Sequence, residues 1–348
     1  MTPSAAFAIP GDITLQTGGY AYDRLVMALL PQFGVDVRHL ALPSSFPTPT
    51  QADLAETARL LAVVQPETAI LADGLAYGAI PAALLEGLCS PIIALVHHPL
   101  CLETGLSEAR QAELYMLEKA ALALTRRVIV TSPTTAETLV KDFAVPTTKI
   151  TIAEPGTELA ARARGTSNPV QLLSVGSVVP RKAHDILVRA LALVSGDWRL
   201  TIVGPTDRSA DAMATLHAAI AESALASRIH IAGPAGPEQL NAHYAAADVF
   251  VLPSLYEGYG MVLGEAMARG LPIVCTTGGA AAATVPNAAA IKVSPGEAET
   301  LAAALQRVLD DTALRRRMSD AAWTVGQTLP RWEDTAKTIA DVIKDLGP

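Results

Sequence analysis

Short apolar runs alternate with amphipathic stretches along this chain. Ile70–Ala72, Ile92–Val96, Val128–Thr131, Leu172–Val175, Leu200–Val203, Ile229–Ala232, Val249–Leu252 and Ile273–Cys275 have the length and β-branched content of buried parallel strands. Between them, Thr50–Val64, Glu108–Leu124, Thr134–Phe143, Asp185–Leu193 and Asp211–Leu225 place apolar residues at helical spacing. That alternation predicts an α/β chain built on doubly wound sheets. The rhythm breaks at Glu154–Pro169, EPGTELAARARGTSNP, which is rich in Pro, Gly, Ser and Thr and reads as a linker. It restarts at Val170. The expected domains are therefore two Rossmann-like halves, 1–160 and 161–330, facing across a cleft. A C-terminal helix over 331–348 follows, with an apolar stripe of Trp332, Ile339, Val342, Ile343 and Leu346. It is expected to cross back to the first half.

Composition narrows the classes. At 348 residues, 50% hydrophobic and 17% charged, the chain has ample material for two cores. A net charge of −8 argues against a nucleic-acid partner. No basic run suggests a membrane anchor, no apolar stretch is long enough to span a bilayer, and the N-terminus lacks the pattern of a signal peptide. Cys89, Cys101 and Cys275 are scattered and lack ligand spacing, so they read as small core residues in a reducing compartment. The expectation is a cytoplasmic protein, with peripheral contact at the inner membrane left open. Glu108, Glu113 and Glu118 make one predicted helix acidic on one side, which reads as a solvated face.

Chemistry concentrates in Pro253–Gly279, PSLYEGYGMVLGEAMARGLPIVCTTGG. An apolar strand ends, a glycine-rich turn follows, and a helix then runs to Gly270. Ligands of open α/β sheets bind at the carboxyl ends of strands. The free N–H groups of a helix start suit a phosphate. Glu257 in the turn and Glu265 in the helix would repel that phosphate, so sugar or ribose hydroxyls are their expected partners. A turn residue and a charge near a helix N-terminus are the plainer alternatives for the two. Gly258 and Gly260 would let the backbone of the turn approach the phosphates, with the N–H groups of Met261 and Val262 beside them. Arg181 and Lys182 stand in another strand-to-helix loop, after Gly176, where two adjacent cations suit a phosphate.

This segment resembles the E-x7-E signature of retaining GT-B glycosyltransferases, glycosyltransferase family 4 in particular. LLSVGSVVPRKAHDILVRAL, from Leu172 to Leu191, resembles the loop that opens the family's second domain, and IHIAGPAGPEQLNAHYAAADVFVLPS resembles the stretch ahead of the glutamates. The resemblance is strong over Leu172–Gly279, weaker into the C-terminal helix and faint in the first half. It implies a GT-B fold with the nucleotide held by the second domain. Glu265 would bind ribose hydroxyls, Glu257 the donor sugar, and Arg181 and Lys182 the leaving diphosphate. Gly176, Gly233, Gly258, Tyr259, Gly260, Met261 and Val262 complete the expected donor site. Where the family often carries an arginine after the loop glycine, this chain has Ser177, which leaves more of the charge to Arg181 and Lys182.

The first half offers less. Gly18 and Gly19 in QTGGY resemble the family's N-terminal glycine loop near the donor phosphate, although turns use glycine everywhere. His97, just past the strand Ile92–Val96, resembles the family's sugar-contacting histidine. Tyr20, Asp73, His98 and Glu103 are candidate acceptor contacts. His184 reads as a helix-start residue. The paired histidines have no carboxylate at ligand spacing, so no metal is expected, and no cofactor. The expected activity is retaining transfer of a sugar from a UDP- or GDP-sugar to the hydroxyl of an undefined acceptor, without metal. A non-catalytic sugar-nucleotide-binding subunit, or another GT-B enzyme such as an epimerase, are the alternatives. A dinucleotide dehydrogenase is disfavoured, because neither half has G-x-G-x-x-G after its first strand.

Overall fold

The computed structural model describes residues 2–165 and 168–346. Residues 166 and 167 of the expected linker, together with Met1, Gly347 and Pro348, lie outside the described residues. The chain divides into two compact units, 1–156 with 330–348, and 157–329.

The first unit is a parallel sheet of six strands: β1 Ser4–Pro10, β2 Asp36–Leu42, β3 Thr68–Asp73, β4 Ile92–Val96, β5 Arg127–Val130 and β6 Ile150–Ile152. Their order is β2-β1-β3-β4-β5-β6. The chain leaves β1 for β2 on one side and returns to β3 on the other, so the strand order reverses between β1 and β3. The carboxyl end of that pair is the ligand edge of a doubly wound sheet. β4 is buried at every position, as a strand covered on both faces must be. The C-terminal helix, Trp332–Lys344, belongs to this unit. Its buried stripe includes Trp332, Ile339, Val342 and Ile343. The Trp332 ring meets Tyr22 edge-on at 5.6 Å, and the Thr335 hydroxyl donates to Glu154 O at 2.6 Å. Gly156 lies so close to the Trp332 backbone that a Cβ would sit 2.2 Å from Trp332 N.

The second unit repeats the plan with β7 Val170–Val175, β8 Trp198–Val203, β9 Ile229–Gly233, β10 Val249–Leu252, β11 Ile273–Thr276 and β12 Ala290–Val293. All are parallel, in the order β12-β11-β10-β7-β8-β9. The switch point here lies between β7 and β10. Both strands lead directly into the loops that carry Arg181, Lys182 and Glu257.

Two sequence expectations fail. Glu108 and Glu113 are exposed, but Glu118 is buried. It sits one helical turn after Leu114, on the inward stripe with Ala121 and Leu122. Only one of its oxygens is satisfied, by Leu100 N–H at 2.9 Å, and burial pushes its carboxyl up to about 8. Among the cysteines, only Cys275 is a core residue, and Cys89 is exposed.

Candidate functional site

In the second unit, β7 ends at Val175, and the chain turns through Gly176 and Pro180–Lys182 into the helix His184–Ala192. The Lys182 side chain lies across Gly176, where a Cβ would stand 3.2 Å from its Cε. Its Nζ then meets Glu257 Oε1 at 2.6 Å. Arg181 reaches the same carboxylate, with Nη1 3.4 Å from Oε2, and donates to Tyr256 O at 2.7 Å. Glu257 is only 5% exposed. Burial alone would raise its pKa, but Lys182 and Arg181 outweigh that and hold the carboxyl below its ordinary range.

The backbone of Glu257 is clamped by the turn after β11. Glu257 N donates to Gly278 O at 3.2 Å, and Ala280 N donates to Glu257 O at 2.8 Å. A Cβ on Gly278 or Gly279 would stand 2.2 Å from Leu255 O or Glu257 O respectively. This glycine pair lies inside the segment singled out in the sequence, yet no role fell to it there. A similar close approach joins the loops after β7 and β8, where a Cβ on Gly204 would be 2.2 Å from Gly176 O.

Gly260, at φ 86°, precedes the helix Met261–Ala268. Leu263 N donates to Gly260 O at 2.8 Å, so Met261 and Val262 contribute the first N–H groups ahead of the helical ladder. Glu265, one turn in, accepts from the Tyr244 hydroxyl at 2.6 Å. Tyr244 is fully buried and stacks on Phe250. The Arg269 guanidinium lies 4.5 Å from the Tyr244 ring centre and donates to Glu265 O at 2.9 Å and to Asn241 Oδ1. Sequence reasoning missed Tyr244 as the residue that fixes Glu265. Tyr259 is buried, and its carbonyl accepts from the Thr284 hydroxyl at 2.8 Å. Gly233 has φ 74° at the end of β9 and accepts from Gly204 N at 2.8 Å. His184 is a buried first helical residue, and burial together with Lys182 lowers it to about 3, so the ring is neutral.

In the first unit, β1 leads into the turn before the helix Gly18–Leu29, which Thr17 caps. The Tyr20 hydroxyl donates to Pro10 O at 2.7 Å. His97 follows β4. Its Nε2 stands 3.5 Å from Asp23 Oδ1 and 3.5 Å from Asp73 Oδ2. His98 Nε2 lies 3.3 Å from Glu103 Oε2. The absence of carboxylates at ligand spacing in the sequence is therefore corrected in space, because Asp23 comes from a helix and Asp73 from the end of β3. Asp73 is buried, and its oxygens face Leu75 N at 2.7 Å and His97. Among the described residues, Asp23, Asp73 and His97 are the group whose ligand atoms come within 4.8 Å of one another. Burial works against charge on His97, but the two carboxylates lift it to about 10. Burial and the neighbouring Asp73 raise Asp23 to about 8.

Residues 169–311 match the family model described as glycosyl transferases group 1. The matched stretch contains Gly176, Arg181, Lys182, Tyr244, Glu257 and Glu265. Among curated proteins, the chain is 27% identical over 274 residues to an MMP alpha-(1->4)-mannosyltransferase of Mycolicibacterium hassiacum, covering 72% of this chain and 64% of that protein. It is 32% identical over 220 residues to a D-inositol 3-phosphate glycosyltransferase of Nocardia farcinica, covering 58% and 49%. The chain thus spans about half to two thirds of these relatives' lengths. Among solved structures, a sucrose-phosphate synthase from Thermosynechococcus elongatus aligns at TM-score 0.82 and 23% identity over 99% of this chain and 98% of that one. Anabaena HepE in complex with UDP-glucose aligns at 0.77 and 17% identity over 98% and 99%. The fold is GT-B: two Rossmann-like α/β units, with the C-terminal helix belonging to the first. No helix among the described residues is long and apolar enough to cross a membrane.

Proposed function

We propose that the chain is a cytoplasmic glycosyltransferase that moves a sugar from a UDP- or GDP-sugar to an acceptor hydroxyl, with retention at the anomeric carbon and without a metal. The observation that carries this reading is the placement of Lys182 and Arg181 on the buried Glu257, beside the start of the helix that holds Glu265. Cations, free N–H groups and two carboxylates share one strand edge within the matched domain. That set fits a ligand with an anionic diphosphate between two hydroxyl-bearing sugars. HepE, of the same fold, holds UDP-glucose.

The roles follow from charge. Arg181, Lys182 and the N–H groups of Met261 and Val262 meet the diphosphate and stabilise the charge that develops as it leaves. Glu257 accepts from hydroxyls of the donor sugar, and Glu265 from the ribose. Lys182 is paired with Glu257, which keeps that carboxylate ionised and able to accept. The leaving phosphate oxygen takes the acceptor's proton on the face where the new bond forms, so no strong protein base is needed. His97, in the first unit, donates to a sugar hydroxyl.

A thermal-shift screen of UDP, GDP, ADP and their sugars tests this reading. A ligand at 100 times its Kd stabilises by about 2.7 kcal/mol. The expected result is a clear rise in Tm with one base, abolished in Glu265→Ala. No shift with any nucleotide would overturn it.

A further inference from the structure

Two buried aspartates converge on one imidazole at the switch point of the first sheet, and no role assigned so far uses Asp23. Asp23 comes from the helix after β1, Asp73 from the end of β3 and His97 from the end of β4. Asp23 is 0% exposed, and neither of its oxygens has a hydrogen-bond partner among the described residues. Such a group is costly to bury unless something charged or protonated faces it. Nε2 of His97 does, and it is itself buried and otherwise without a partner. Asp73 spends one oxygen on Leu75 N and turns the other to the same Nε2.

The ring is held on its remaining sides. Tyr22 meets it edge-on at 5.2 Å between ring centres, and a Cβ on Gly19 would lie 3.7 Å from its Nε2. The His97 carbonyl accepts from the Thr131 and Thr135 hydroxyls at 3.2 and 3.4 Å. The side chain is 22% exposed although Nε2 is buried. Solvent therefore reaches the rest of the ring, where Nδ1 lies.

We propose that Asp23 and Asp73 are joint positioning residues for His97, holding its Nε2–H between their carboxylates so that the imidazolium presents Nδ1–H to a sugar hydroxyl as a fixed, charged donor. One proton on Asp23 and one extra on His97 leave the trio neutral, which is how three ionisable groups can share a buried pocket. Burial and Asp73 favour the proton on Asp23, and the carboxylates favour it on His97. Tyr22, the other titratable neighbour, stays neutral because burial and Asp23 raise it. The identity of the hydroxyl rests on the glycosyltransferase reading, whereas the state of the ring does not.

Histidine ¹⁵N NMR of the substrate-free protein at pH 8 separates the two. His97 is assigned by its loss in His97→Gln. The expected spectrum shows both His97 nitrogens protonated in the wild type, and a neutral ring in the Asp23→Asn, Asp73→Asn double variant. A neutral His97 in the wild type overturns the proposal, even if every variant misfolds. So does a His97 signal that shifts when EDTA or Zn²⁺ is added, which would mark a cation between the three groups. If a donor and an acceptor are in hand, Asp73→Asn and His97→Gln should each lower kcat more than tenfold, the double variant should lose no more than either, and the Kd for nucleoside diphosphate should not change. Additive losses in kcat would overturn the coupling. A protein with the expected spectrum but no transferase activity would retain the triad and lose only the proposed function.

Discussion

Lys182 Nζ lies 2.6 Å from Glu257 Oε1, and the lysine stem reaches it by crossing Gly176. The cation proposed for a diphosphate and the carboxylate proposed for a sugar are thus partners of one another. Two side chains 75 residues apart in sequence form one electrostatic unit.

This pair makes stability depend on acid. Glu257 has a lowered pKa in the folded state. Its contribution is therefore present above the ordinary glutamate value of about 4.3 and is lost as pH falls through the folded value. Urea melts of wild type and Glu257→Gln should show the wild type losing more stability between pH 5 and pH 3. Parallel curves would contradict the pairing.

Glu118 has the opposite sign. Its carboxyl is raised to about 8, so the folded state holds a proton that the unfolded chain releases. Stability is fully present below the unfolded pKa and falls as pH rises toward 8. Glu118→Gln keeps an acceptor for Leu100 N and removes the titration. The variant should gain steadily on wild type as pH rises from about 5 to 8, and its own stability should be flatter with pH.

Tyr244→Phe removes the 2.6 Å hydrogen bond to Glu265 while keeping the buried ring. A hydrogen bond to a charged group contributes about 1.5–3 kcal/mol. If the Tyr244 hydroxyl fixes Glu265 for the ribose, calorimetry should show at least a tenfold weaker nucleotide, and equal Kd values for variant and wild type with a 2′,3′-dideoxy analogue. Equal losses with both ligands would reduce Tyr244 to a core residue.

Ala144 and Ala224 end helices in the left-handed region, at φ 59° and 55°. After Ala224, Leu225 N reaches Ile220 O and Ala224 N reaches Ala221 O, the Schellman arrangement; after Ala144, Val145 N reaches one residue further back, to Leu139 O. Glycine adopts the left-handed conformation at both positions without a Cβ penalty. Both alanines are exposed, so the substitutions disturb no packing. Ala144→Gly and Ala224→Gly should each raise stability by about 0.5–1 kcal/mol in denaturant melts, additively, because the strain removed outweighs glycine's extra unfolded freedom.

The buried strands were legible because central parallel strands are continuous apolar runs. Seven of the eight runs named in the sequence lie within strands, and Val128–Thr131 overruns β5 by one residue. β2, β6 and β12 escaped because they are edge strands, short or half polar. β1, Ser4–Pro10, has alanine at three of its seven positions and carries little apolar contrast. Glu257, Glu265, Arg181 and Lys182 stood out because their loops have a distinctive order. Asp23 did not, since its partners lie at 73 and 97. A signal existed: Asp23 shares the buried side of its helix with Tyr22 and Val26, where an acid needs a partner. Glu118 carries the same signal beside Leu114 and Leu122, and reading it as one more solvated glutamate missed the phase of the helix.

The central claim is retaining transfer from a nucleotide-sugar. Its most direct measurement is the anomeric configuration of the first product, followed by ¹H NMR as the protein consumes its preferred UDP- or GDP-sugar, with water as acceptor if no other is found. The account predicts that the product initially carries the donor's own anomeric configuration. An inverted product, or no consumption of any UDP- or GDP-sugar, would contradict it.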